Sequence, residues 1–241
     1  MSSPNKIKAV LFDLDGTLRF NLPAPGEVFI EHVRSLGIQA SEEQRIISER
    51  WEYEYFASSL EVQEDYVKYQ DDRKAFWINF TKRRLLSLET HIDQVDELAL
   101  KVSDHMDAFY KPQAHIPDEV FALLKHLQEA GYILGVVSNR DVSFQDELKE
   151  LKLDPYFRFT IAAGEVKSYK PDTLIFQHAL ELSGTSAAET MYVGDNYYAD
   201  IIGALRAGLR PVLYDPTGLF PEAGEGYSVI KHYSEFYTLL K

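Results

Sequence analysis

Five short apolar runs punctuate the chain: "IKAVLFD" (7–13), "YILGVVS" (132–138), "FTIAA" (159–163), "TMYVGD" (190–195) and "RPVLYD" (210–215). Each is compact and lacks a helical period, as expected of parallel strands buried on both faces. From residue 117 onward a helical period alternates with them. "PDEVFALLKHLQEAG" has Pro117 near its start, apolar residues at 120, 123, 124 and 127, and Gly131 at its end. That is the order of signals that opens and closes a helix. "PDTLIFQHALELSG" repeats the design from Pro171 to Gly184, and "ADIIGALRAG" repeats it over 199–208. Strand, helix, strand, helix predicts an α/β core, a parallel sheet with helices packed on both faces.

Residues 19–114 carry a different pattern, with amphipathic helices and no strand. "SEEQRIISERWEYEYFA" opens with a capping box from Ser41 to Gln44, in which side chains and backbone amides satisfy one another reciprocally. "DDRKAFWINFTKRRLLSLE" and "DQVDELALKVSDHMDAFY" follow, and the proline-bearing stretches "NLPAPG" and "YKPQAHIP" bound the segment. Proline stiffens the chain at such boundaries. The prediction is a Rossmann-like core, 1–18 with 115–241, interrupted after its first strand by an all-helical insertion of roughly four helices over 19–114, a cap on two hinges. Neither internal repeats nor low-complexity segments interrupt this plan.

Composition narrows the function. The chain has 241 residues, 45% hydrophobic and 26% charged, which suits a core domain carrying one insertion. No apolar run approaches the roughly 18 to 20 residues that cross a membrane, and "MSSPNKIKAVLFDLDG" lacks the layout of a signal peptide. Zero cysteines exclude disulfides and thiolate metal sites, and the expectation is a cytoplasmic protein that does not contact a membrane. The formal net charge of −13 argues against a nucleic-acid surface, which needs clustered Lys and Arg. An anionic substrate therefore has to be held by a local cation, a bound metal ion or one well-placed lysine. Nothing in the sequence fixes an oligomeric state.

The candidate chemistry sits where the strands end. The first run ends in Asp13, the second in Ser138 and the fourth in Asp195, while Lys170 lies in the loop after the third. Ligands of open α/β sheets bind at the carboxyl ends of the strands, so these groups gather at one edge. Asp13 and Asp15 pose a problem there. Two ionised carboxylates ~4 Å apart repel by about 4 kcal/mol at an effective dielectric of 20. Either a cation offsets that or the acids point apart.

"DLDGTL" at 13–18, "VVSN" at 136–139, "SYKPD" at 168–172 and "GDNYYAD" at 194–200 resemble, in order and spacing, the four motifs of the haloacid dehalogenase superfamily. The insertion after the first motif is similar to that superfamily's C1-type cap. Singly each motif is weak; together on the right strands they are specific. The resemblance implies a phosphatase that forms an aspartyl-phosphate on Asp13, the nucleophile. It makes Asp15 the general acid and then the general base. Ser138, Asn139 and nearby backbone amides would hold phosphoryl oxygens, and Lys170 would neutralise the Asp13–phosphate pair. Mg²⁺ would be bound by Asp13, the carbonyl of Asp15 and Asp195, with Asp200 acting through water or from the second shell. Gly16 would let the chain turn sharply after the acids. The implied partner is a small phosphate ester.

Other readings stay open on the same residues. A phosphosugar mutase would keep all four motifs and differ in how its cap excludes water. A haloacid dehalogenase would also use an aspartate nucleophile, but needs neither Mg²⁺ nor a second acid, so Asp15, Asp195 and Asp200 count against it. A non-catalytic binding module would be expected to have lost one of Asp13, Asp15, Lys170 or Asp195. Ser138 by itself could cap a helix. Lys167 competes with Lys170, which is preferred because it directly precedes proline as in the superfamily motif. Arg19, Asn21 and Arg140 could touch the leaving group or form surface ion pairs, and Tyr197 and Tyr198 lie between the acids of the last motif.

The rest of the chain offers no competing chemistry. Histidines 32, 91, 105, 115, 126, 178 and 232 show no metal-ligand spacing, and neither a dinucleotide nor a P-loop glycine motif occurs. Trp51, Tyr53, Tyr55, Phe56, Phe76, Trp77 and Phe80 are expected to pack the interior of the helical insertion rather than line a pocket. Lys82-Arg83-Arg84 is expected to form a solvated face.

Overall fold

A computed structural model describes residues 6–88, 92–220 and 224–240. His91 lies outside the described residues. The strands are β1 (Ala9–Phe12), β2 (Phe20–Leu22), β3 (Gln113–His115), β4 (Ile133–Ser138), β5 (Phe159–Ala162), β6 (Thr190–Gly194), β7 (Arg210–Tyr214) and β8 (Ser228–Ile230). The helices are α1 (Pro25–Ser35), α2 (Glu42–Phe56), α3 (Leu60–Lys68), α4 (Arg73–Ser87), α5 (Ile92–Phe109), α6 (Asp118–Glu129), α7 (Gln145–Glu150), α8 (Ala163–Val166), α9 (Thr173–Ser183), α10 (Ile202–Arg206) and α11 (Tyr233–Phe236). The chain divides into two compact units, 1–20 with 115–241 and 21–114. Among the described residues, no helix is long and apolar enough to cross a membrane.

The first unit is built on a six-stranded sheet in the order β5-β4-β1-β6-β7-β8, every neighbouring pair parallel. Alternation along β1 explains why its run reads as apolar throughout. Val10 and Phe12 enter one core with Val120, Leu123, Leu124 and Leu127 of α6. Leu11, between them, enters the opposite core with Ile175, Phe176 and Ala179 of α9. Side chains on a strand alternate between faces, and full burial of each large one contributes roughly 1.5 to 3 kcal/mol. The α/β fold with helices on both faces is therefore as the pattern predicted. β1 lies at the centre, with β4 and β5 added on one side and β6, β7 and β8 on the other. The winding reverses beside β1, which makes the carboxyl ends of β4, β1 and β6 the switch point at which such sheets bind ligands.

Two details differ from the sequence pattern here. The third apolar run forms β5, which stops at Ala162, and Ala163 already starts α8. β8 was not expected; three residues are too few to display a period.

The second unit is helical, with two apolar clusters. One joins Phe29, Ile30 and Val33 of α1 to Leu85 of α4 and Val95, Ala99 and Val102 of α5. The other gathers Tyr55, Val62, Phe76 and Phe80, with Trp51 and Phe56 packed against it, so these five aromatics pack together as predicted. Tyr53 is only half-buried, and Trp77, contrary to expectation, is 40% exposed, because it meets Phe76 and Phe80 edge-on from the rim of the cluster. The capping box at Ser41 and Gln44 is present. Residues 19–114 do contain strands, contrary to expectation: β2 and β3 pair into a two-stranded ribbon where the chain leaves and re-enters the core unit. Of the Lys82-Arg83-Arg84 run, Lys82 is solvated as expected, pairing with the exposed Asp96 at 2.5 Å, but the two arginines are not. Arg84 is buried, stacked 4.1 Å from the Phe29 ring centroid and paired with Glu52 at 2.8 Å. Arg83 Nε lies 2.8 Å from the buried Asp65. Each charge has found a partner on another helix, which is what burial of a guanidinium requires.

Candidate active site

β1, β4 and β6 bring the predicted residues to one edge. The hydrogen bond from Asp13 N to Val193 O, 2.8 Å long, ties the end of β1 to β6. Asp13 is buried, and its Oδ1 accepts a 2.5 Å hydrogen bond from Lys170 Nζ. Lys170 is buried too and donates at 2.6 Å to Asp200 Oδ1 and at 3.0 Å to the Tyr192 hydroxyl. That hydroxyl donates to Val137 O at 3.0 Å. Lys167, by contrast, is exposed at the end of α8, and Lys170 is the lysine that reaches Asp13.

Asp195 follows β6 directly and accepts from Thr17 Oγ1 at 3.1 Å. Asp200 comes five residues later, on a π-helical turn over Tyr197–Ile201, a rare form that recurs at functional sites. Asn196 fixes this turn through its Oδ1, which accepts at 3.0 Å from both Tyr198 N and Ala199 N, while its backbone N–H donates at 2.9 Å to Asp200 Oδ2. Asp200 stands beside Lys170 as Asp13 does, so it is a direct member of the cluster.

Oxygens of Asp13, Asp195 and Asp200 lie within 4.8 Å of one another. Burial pushes the Asp13 carboxyl well above the usual carboxylate range; Lys170 draws it back, and Asp200 and Asp195 push it further up. Burial opposes the Lys170 ammonium, but Asp13 and Asp200 outweigh it and hold its pKa well above the ordinary lysine value. Three carboxylates thus meet an ammonium that bridges two of them. An all-oxygen donor set with excess negative charge fits a hard divalent cation.

Asp15 lies apart from this cluster and is partly exposed. Arg140 forks onto it, Nε to Oδ2 at 2.7 Å and Nη2 to Oδ1 at 2.8 Å, and Arg19 Nη1 reaches Oδ1 at 3.3 Å. Adjacent acids on a strand end therefore avoid one another by taking different cations, Asp13 a lysine and Asp15 an arginine. Ser138 ends β4 and is buried. Asn139 commits its side-chain amide to the Lys170 backbone, donating to its carbonyl at 3.0 Å and accepting from its N–H at 2.7 Å. That clamp positions the lysine loop, a role its predicted place on the phosphate did not suggest.

Thr17 and Tyr192 were not singled out from sequence. Thr17 sits in the "DLDGTL" motif, which could have signalled it. Tyr192 reads as one more apolar strand residue, and its hydroxyl acquires a role only through the neighbouring strand and loop.

The family model of haloacid dehalogenase-like hydrolases matches residues 7–208. The chain belongs to that family. This hydrolase is 33% identical over 171 residues to the (S)-2-haloacid dehalogenase 4A of Burkholderia cepacia, covering 68% of this chain and 71% of the relative. It is 31% identical over 207 residues to the glyceraldehyde 3-phosphate phosphatase of Methanopyrus kandleri, covering 86% of this chain and 83% of the relative. Its fold matches that of the HAD-hydrolase YfnB of Bacillus subtilis bound to magnesium, with a TM-score of 0.58, 20% identity, and coverage of 98% of this chain and 100% of the other.

Proposed function

We propose that this hydrolase is a Mg²⁺-dependent phosphatase acting on a small phosphorylated metabolite through an aspartyl-phosphate. The observation that carries this reading is the division of labour between Asp13 and Asp15. One carboxylate is buried against Lys170 and the acid cluster; the other is partly exposed and held by arginine.

In this reading an Asp13 oxygen attacks phosphorus while the bond from phosphorus to the leaving oxygen breaks. Asp15 gives its proton to that oxygen, so an alcohol rather than an alkoxide departs. Ser138 and the backbone amides that follow β4 hold the phosphoryl oxygens, and Lys170 stabilises the charge that accumulates on them. Asp15 then takes a proton from water as the water oxygen attacks phosphorus, which breaks the bond to Asp13 and frees inorganic phosphate. Asp13, Asp195 and the carbonyl of Asp15, with Asp200 beside them, would hold Mg²⁺, which offsets carboxylate charge and polarises the phosphoryl group. The 21–114 unit would act as the cap that selects the leaving group and excludes water. Relatives named for glyceraldehyde 3-phosphate and ribulose 1,5-bisphosphate support short sugar phosphates as the first substrates to try.

The likeness to a haloacid dehalogenase favours a second reading, hydrolysis of a carbon–halogen bond by the same Asp13. The Asp195/Asp200 pair and an Asp15 held in place by Arg140 count against it. One experiment tests both: phosphate release from a panel of phosphorylated metabolites and halide release from 2-haloacids, each with Mg²⁺ and with EDTA. Phosphate release that needs Mg²⁺ and is abolished in Asp13→Asn is the expected result. Halide release that ignores EDTA would overturn the phosphatase reading, and isomerised sugar phosphate without phosphate release would replace it with a mutase.

A further inference from the structure

The chemistry above uses Asp15 but leaves Arg140 without a task. Arg140 is 125 positions away in sequence and grips both Asp15 oxygens. The guanidinium is braced in turn. Its Nη1 pairs with Glu147 Oε2, and its Cζ lies 5.6 Å from the centroid of the Phe144 ring. Glu147 also stands 3.0 Å from Arg19 Nε. The loop that carries Arg140 is pinned as well: Gly164 N donates to Arg140 O at 3.1 Å, and the Tyr169 hydroxyl donates to Asp141 Oδ1 at 2.6 Å. A Cβ on Gly164 would lie 2.0 Å from Asp141 O, so the close approach of this loop to α8 depends on a glycine.

The fork has a directional consequence. A carboxylate oxygen offers about two lone-pair directions. Asp15 Oδ1 accepts from Arg140 Nη2 and from Arg19 Nη1, whereas Oδ2 accepts from Arg140 Nε. Oδ2 therefore keeps one direction for a proton, and the planar fork fixes where that direction points. A lysine, being a point charge on a flexible stem, could not fix it.

We propose that Arg140 is the positioning residue for Asp15: it orients the carboxylate so that Oδ2 carries the transferred proton, with Phe144 and Glu147 holding the guanidinium in place. This rests on Asp15 being the general acid and base. Proton transfer is sensitive to placement, and an error of about 1 Å costs on the order of a hundredfold. Arg140→Ala should therefore lower kcat for an alkyl phosphate by roughly that factor with KM little changed. Arg140→Lys should recover only a part, and added guanidinium should restore more of the Arg140→Ala activity.

The decisive readout is pre-steady-state. p-Nitrophenolate leaves without a proton, so with p-nitrophenyl phosphate the first step in Arg140→Ala should stay fast while water attack slows. A burst of p-nitrophenol near one equivalent per enzyme followed by slow turnover is expected, with Glu147→Gln showing a weaker form. Asp15→Ala should show the same burst. Equal slowing of both steps in Arg140→Ala, or a raised KM with normal kcat, overturns the positioning role while leaving Asp15 in place if Asp15→Ala still bursts. Normal turnover by Asp15→Ala overturns the acid–base reading itself, and the proposal with it.

Discussion

A Cβ on Gly16 would lie 2.2 Å from Oδ2 of Asp195. The same residue has φ +89, a backbone conformation that side chains other than glycine adopt only under strain. Two independent demands thus meet at one position: the chain must turn sharply after Asp15, and it must leave room for an acid from β6. Gly194 meets the second demand again, since its Cβ would lie 2.3 Å from Asp200 Cγ.

Gly16→Ala is expected to displace Asp195 and lower kcat by on the order of a hundredfold or more. Backbone strain should also destabilise the fold by about 1 to 3 kcal/mol. Steady-state kinetics and urea unfolding check the two effects separately. Wild-type kcat in a folded Gly16→Ala protein would remove Asp195 from the reaction.

Lys170 and Asp13 should differ in stability even though both are needed for turnover. Lys170→Met leaves Asp13 and Asp200 buried without their shared ammonium, and breaking such a pair costs about 3 to 5 kcal/mol. Asp13→Asn instead removes one negative charge from a cluster rich in them, and Lys170 keeps Asp200 at 2.6 Å. Its loss should be much smaller. Urea midpoints measured in EDTA decide the matter: a Lys170→Met protein as stable as wild type would contradict the charge arrangement described here.

The sequence made the sheet legible because β1, β4, β6 and β7 are buried almost throughout, leaving compact apolar runs, three of which end in Asp13, Ser138 and Asp195. It did not reveal Arg140 as the partner of Asp15, because the two meet only when β4 docks beside β1. The same limit hid Arg83 and Arg84. A basic run reads as solvated until Asp65 and Glu52, on other helices, are seen beside it. β2, β3 and β8 escaped for a simpler reason: three residues cannot show an alternation.

Magnesium should bind independently of turnover. A ligand that binds the folded state at 100 times its Kd stabilises by about 2.7 kcal/mol, so saturating Mg²⁺ should raise the Tm of the metal-free protein. Asp195→Asn should reduce that shift strongly while leaving the Tm in EDTA near or above the wild-type value, since one acid of a repelling set has been neutralised. Thermal melts of both proteins across a Mg²⁺ series give the answer. An undiminished shift in Asp195→Asn would place the ion elsewhere.

In the helical unit, the rings of His32 on α1 and His105 on α5 stack with centroids 3.6 Å apart and planes 6° from parallel. Burial lowers the His32 pKa from its ordinary value of 6.5, and His105 lowers it further. The sign of the effect on stability follows from linkage. Where the unfolded chain binds a proton that the folded chain refuses, stability rises with pH. The stack should therefore be neutral in cost above the ordinary histidine pKa and weaken the fold as pH falls through it towards the lowered folded value. His105→Gln removes the second ring and part of the shift, so its stability should fall less steeply between about pH 7 and pH 5. Denaturant midpoints for wild type and His105→Gln across that range measure the difference in slope. Parallel slopes would mean that the two rings carry no mutual charge penalty, and that the stack is held by packing between α1 and α5 alone.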